Sequence, residues 1–141
     1  MWKRILLLYD LLLSVGAMYT GVLMMQSNQG IFTEYPKEWI LSTPFSNWII
    51  PGIIVFMVFG LGNLIAGIVL QRGNAVISAC MGMAQLLSII FLTIVLGQWF
   101  LATLEVIICS LIQLILCIIN HKAKYSLYSR WMITNEQKSI G

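Results

Sequence analysis

Two carboxylates stand inside long apolar runs of this sequence, Asp10 within Ile5 to Met25 and Glu105 within Phe100 to Ile119. An ionisable side chain in such a stretch is costly to bury in hydrocarbon, so it marks a functional site by default. Three amides share this placement: Asn63, Gln85 and Gln113. At about 1.5 Å rise per residue, Asp10 lies roughly 8 Å inside the first run, and Glu105 is at a similar depth from the start of the last. If these runs cross a bilayer from opposite sides, the two acids do not meet, which excludes the paired-carboxylate chemistry of glycoside hydrolysis. Each acid also has a plain structural reading. Asp10 has Lys3, Arg4, Arg72 and Lys122 as prospective ion-pair partners, whereas Glu105 has only Lys37 on its side and would bridge to Gln85, Gln98 or Thr103 as a neutral carboxyl. Glu105 is therefore the residue on which proton-carrier or general-acid chemistry would fall. Asn63 and Gln85 read as hydrogen-bonding links between helices.

Other chemistries find no support in the pattern. Cys80, Cys109 and Cys117 all sit in apolar runs without a CxxC pair, and His121 has no second ligand at a useful spacing, so neither a zinc centre nor a disulfide framework is expected. Met81 and Met83 are packing side chains with no soft partners nearby. No phosphate-binding glycine loop and no nucleophile elbow occurs. Neither a cofactor nor a metal is implied.

The elements that must carry these residues follow from composition. Of 141 residues 60% are hydrophobic and only 9% charged, with mean hydropathy +0.91, more apolar surface than a soluble globule of this size hides. The solvent is lipid. A net charge of +3 does not point to nucleic acid, because the basic residues flank the apolar runs instead of forming a face. A crossing helix needs about 20 apolar residues, and four runs qualify: 5–25, 48–70, 75–97 and 100–119. The connections 71–74 and 98–99 are so short that the last three helices must be antiparallel neighbours. The sequence thus predicts an all-α membrane protein, a four-transmembrane-helix up-down bundle with an external interfacial loop between helices 1 and 2, as a single domain with a tail from 120 to 141. The basic start Met1 to Arg4 resembles a signal peptide, but Asp10 interrupts the apolar region, and the segment is expected to be a retained helix.

Orientation comes from lysine and arginine, which concentrate on the cytoplasmic side. Lys3, Arg4, Arg72, Lys122, Lys124, Arg130 and Lys138 all fall on one side of a four-span chain, with Lys37 alone on the other between Glu34 and Glu38. Both termini are expected in the cytoplasm and the protein in the cell membrane. In the outer connection, Tyr35-Pro36 and Thr43-Pro44 break helical continuity, and Trp39, Phe45 and Trp48 form an apolar patch suited to an interfacial cap. The segment 120–128 is expected to run on along the anionic inner leaflet, and the tail beyond Arg130 to be frayed.

At helical spacing each run shows a stripe of small or polar residues: Asp10, Ser14, Ala17 and Gly21; Gly60, Asn63 and Gly67; Ser78, Gly82, Gln85 and Ser88 or Ile89; Glu105, Cys109, Gln113 and Cys117. Such stripes face one another in membrane bundles. Turned inward under the cap, they would open an outer-leaflet cavity lined by Glu105 and Gln85, with room for an amphiphilic small molecule.

The stretch Ser42-Thr43-Pro44-Phe45-Ser46-Asn47-Trp48-Ile49-Ile50-Pro51-Gly52, running on to Gly60-Leu61-Gly62-Asn63, resembles a group of small, largely uncharacterised bacterial four-helix membrane proteins that share a "PF, short spacer, IPG" pattern leading into the second helix. The resemblance implies the four-helix fold and a bacterial inner membrane, and it transfers no catalytic or binding residue. Small multidrug transporters are of similar size, but their glutamate lies in the middle of helix 1, where this chain has none. The expected function is that of a non-enzymatic accessory, protective or immunity-type subunit that binds a membrane partner or a second copy of itself. The alternative is a small transporter, or a protein acting on a lipid-like substrate, that uses Glu105.

Overall fold

The computed structural model describes residues 1–27, 40–41, 44–96 and 101–140, with backbone alone at 92, 95–96, 101–103, 127 and 129–140. Those residues are helical apart from short turns. We number the helices α1 (Trp2–Ser27), α2 (Ile49–Gln71), α3 (Val76–Leu96) and α4 (Leu101–Ile140). Three segments, Trp2–Ser27, Ile49–Gln71 and Leu104–Ser126, are long and apolar enough to cross a membrane, and Val76–Phe91 is a shorter apolar helix. Helices suit hydrocarbon because every backbone amide is satisfied within its own segment.

Close contacts fix how α1 and α2 run. Gly21 meets Gly52, Met18 meets Gly60, Leu7 meets Gly67, and Lys3 Nζ donates to the Gln71 carbonyl at 2.8 Å. As one number rises the other falls, so the two helices are antiparallel. The same holds for α3 and α4, where Gly82 touches Leu114 and Lys124 Nζ donates to the Gly73 carbonyl at 3.4 Å. Further packing joins α1 to α4 and α2 to α3.

The α2–α3 turn is built locally. Arg72 and Gly73 amides donate back to Val69 and Leu70, Gly73 takes φ +87°, and Asn74 Oδ1 caps the Val76 amide at 2.9 Å. A positive φ there favours glycine, and an asparagine two residues before the amide is a regular helix N-cap. Pro51 lies in the first turn of α2, where a missing N–H costs little.

Several sequence expectations change. Within α2, Val55–Leu61 is π-helical, a feature that hydrophobic periodicity does not reveal. The stretch beyond Arg130, expected to fray, continues α4 to Ile140. The physical reason is the absence of any glycine or proline from 98 to 140; at about 1.5 Å per residue, the 40 residues of α4 run roughly 60 Å, twice the hydrocarbon thickness. Of the three cysteines, Cys80 is exposed, Cys109 partly buried and Cys117 buried.

At the end of the molecule that holds Lys3, the 72–74 turn and Lys124, Leu6, Leu70 and Cys117 form a buried apolar plug packed by Leu7, Ala75, Ala79 and Leu116. The next layer toward the other end is polar.

Candidate functional site

One fully buried residue from each helix makes that layer: Asp10 from α1, Asn63 from α2, Ser78 from α3 and Gln113 from α4. Ser78 Oγ donates to Asp10 Oδ2 at 2.5 Å, and Gln113 Nε2 donates both to Asp10 Oδ1 at 2.8 Å and to Asn63 Oδ1 at 2.9 Å. Asn63 Nδ2 in turn donates to the Phe59 carbonyl at 2.7 Å, inside the π-helical stretch. One turn along α1, Ser14 Oγ donates to the Gly60 carbonyl at 2.7 Å. Tyr9 adds a link from α1 to α4 through its hydroxyl and the Cys109 carbonyl, at 2.9 Å.

The local reasons are legible in the chain. Asp10 and Ser14 are four residues apart and so share a face of α1. Gly82 sits where a side-chain carbon would lie 3.1 Å from Gln113 Oε1, so a residue without a side chain leaves room for the amide. Gln113 Oε1 is itself buried with no hydrogen-bond partner, whereas both Asp10 oxygens are engaged. Among the described residues no basic side chain reaches Asp10, so the expected pairing with Lys3, Arg4, Arg72 or Lys122 does not form; Lys3 caps the end of α2 instead. The layer is a four-helix hydrogen-bonded lock. Buried polar groups of this kind hold helices together in lipid because each would otherwise be left without a partner.

Glu105 is placed differently. It is exposed, while Gln85 on α3 is buried, so the outer cavity expected between them is not one that Glu105 lines. The cause is helical drift. A strict four-residue stripe advances about 40° beyond a full turn at every step, because each residue turns 100°. Ser110, Gln113 and Cys117 define the buried face of α4, and Glu105 falls about 110° from its centre by the same arithmetic. Ser110, absent from the predicted stripe, takes its place three residues from Gln113. Its hydroxyl donates to the Val106 carbonyl at 2.8 Å.

Of the external cap, Trp48 is buried and Phe45 half-buried, with Ile40 buried alongside them in sequence; Trp39 lies outside the described residues. Among the described residues, no cluster of three or more histidine, cysteine or acidic side chains is arranged to hold a metal ion.

The described chain is thus an all-helical protein with several helices of membrane-crossing length and a buried polar layer between them. No family model, no curated protein and no solved structure matches it.

The Ser14 contact yields a first prediction. Ser14→Ala removes one hydroxyl-to-carbonyl bond and leaves the Gly60 carbonyl to the π-helical backbone, so unfolding in mixed micelles is expected to become easier by about 1 kcal/mol. No measurable change would mean that this bond adds nothing to the α1–α2 contact.

Proposed function

We propose that this protein spans a bacterial cytoplasmic membrane four times as an up-down bundle, with both termini inside, and that it works by binding and not by catalysis. In this reading α3 is the fourth span: its 21 residues extend about 31 Å, enough for the hydrocarbon core. The excess of lysine and arginine at the end formed by the N-terminus, the 72–74 turn and the 122–124 segment supports the orientation. The protein acts as an accessory, protective or immunity-type subunit that holds a second membrane protein or another copy of itself.

Glu105 carries this proposal. It is a carboxylate in the first turns of an apolar helix, it faces outward, and no group among the described residues partners it. Carboxylates in membrane spans face protein or water almost without exception, and in this reading the outward Glu105, near the end of its span, faces protein: another helix covers it in the assembly. The small-residue faces are used internally: Gly21 lies against Gly52 and Phe56, and Ala66 is fully buried.

Gentle solubilisation followed by native mass measurement tests the reading. The expected species is larger than one chain, and Glu105→Leu is expected to weaken the association about tenfold, the worth of one interhelical polar contact of 1–2 kcal/mol, with helix content unchanged. A wild-type protein that is strictly monomeric, with nothing co-purifying in detergent or in nanodiscs, would refute it.

A further inference from the structure

At the end of the molecule that carries the positive charge, a groove of about 500 Å³ runs between the start of α3 and the outward continuation of α4. Its two halves differ in chemistry. Ala79, Cys117 and Ile118 line the half toward the apolar core, and Asn120, Lys122 and Lys124 line the other. Lys122 and Lys124 lie four and six residues beyond Ile118, so their backbone positions stand about 6–9 Å further out along the helix. Both lysines are exposed, and among the described residues Lys124 makes one long hydrogen bond, to the Gly73 carbonyl. The amino-terminal end of α3, with its partial positive charge, opens on the same groove at Asn74 and Val76. Among the described side chains at this end there is no carboxylate apart from the buried Asp10, which Ser78 and Gln113 already occupy.

We propose that this groove binds one anionic glycerophospholipid of the adjoining leaflet, with its phosphate at the basic end, which Lys124 and Lys122 border from different sides of α4, and an acyl chain lying along Ala79, Cys117 and Ile118. The apolar half argues for a lipid over a free phosphate, which would leave it unfilled. The two lysines argue for an anionic headgroup over a zwitterionic one. The inference rests on the chain spanning a membrane and is independent of whether it binds a protein partner.

The experiment is native mass spectrometry of the full chain, delipidated in non-ionic detergent and then offered equal amounts of phosphatidylglycerol and phosphatidylcholine. Wild type is expected to retain phosphatidylglycerol preferentially as a one-to-one complex. Lys122→Gln with Lys124→Gln is expected to reduce that preference about 25-fold, roughly fivefold for each charge near the membrane surface. Val76→Trp, at an exposed position in the groove, is expected to reduce retention without changing any charge. Lys3→Gln with Arg4→Gln, at the same end but outside the groove, is expected to leave the preference intact. Equal retention of both lipids, equal loss from the Lys3 and Arg4 pair, or displacement of the lipid by inorganic phosphate alone would overturn the proposal. Release of the chain from vesicles by alkaline carbonate would instead refute the membrane-spanning reading beneath it.

Discussion

Asp10→Ala is expected to lower the stability of the fold by about 2–4 kcal/mol, the largest loss from any single polar side chain in the protein. Both carboxyl oxygens accept a hydrogen bond, one from Ser78 and one from Gln113, and leaving a buried donor without its acceptor costs about 1–3 kcal/mol. Measured interhelical bonds in lipid average nearer 0.6 kcal/mol, which holds the total below the simple sum. Alanine leaves the Ser78 hydroxyl without its acceptor, in a layer where all four residues are fully buried. Asp10→Asn keeps the volume and an acceptor for Gln113, and its amide can donate to Ser78 Oγ if that hydroxyl turns. Its expected cost is about 1 kcal/mol or less. Equilibrium unfolding in mixed micelles, comparing wild type with both variants, reads the order directly. An alanine variant within about 0.5 kcal/mol of wild type, the range of an ordinary surface substitution, would show that the layer does not hold the helices together.

The second large effect separates two glycines of the same helix. A side-chain carbon at Gly21 would sit 2.7 Å from the Gly52 carbonyl oxygen and 2.9 Å from the Phe56 amide nitrogen, and one at Gly52 would sit 2.7 Å from the Gly21 carbonyl oxygen. Here α1 and α2 touch backbone to backbone, so relief requires the helices to part. At Gly16 nothing lies within 4 Å. Gly21→Ala is therefore expected to destabilise by about 1–3 kcal/mol, the usual range for overpacking. Gly16→Ala is expected to stabilise by about 0.5–1 kcal/mol, because alanine has less backbone freedom to lose in a helix. The opposite signs make the comparison robust to the choice of detergent. If both alanines shifted the unfolding midpoint in the same direction by similar amounts, the close α1–α2 crossing would be wrong.

Much of the architecture was legible along the chain because a membrane limits the choices. Four apolar runs, the Gly73–Asn74 turn and the tolerance of Pro51 at the start of α2 all follow from local composition, and the structure has helices and a turn at those places. The stripes on α1 and α2 also describe faces that the structure buries, at Asp10, Ser14 and Gly21 and at Gly60, Asn63 and Gly67. On α4 the same reasoning misplaced Glu105, because a stripe drawn at constant four-residue steps rotates off its face within two or three turns. The continuation of α4 to Ile140 accords with the missing glycine and proline, whereas the polarity of the segment points to fraying.

What the sequence by itself determined is the class of environment and the inward faces of α1 and α2, since both depend on side-chain chemistry and helical period. Which of those residues meet was decided by the tertiary structure. Asp10 had four candidate basic partners in sequence, yet it bonds to Ser78 and Gln113, 68 and 103 positions away. The periodicity of one helix carries no information about its rotation and height against another. Those are set where backbones approach closely, at Gly21 and Gly52, and where a polar group has to find a partner before it can leave water.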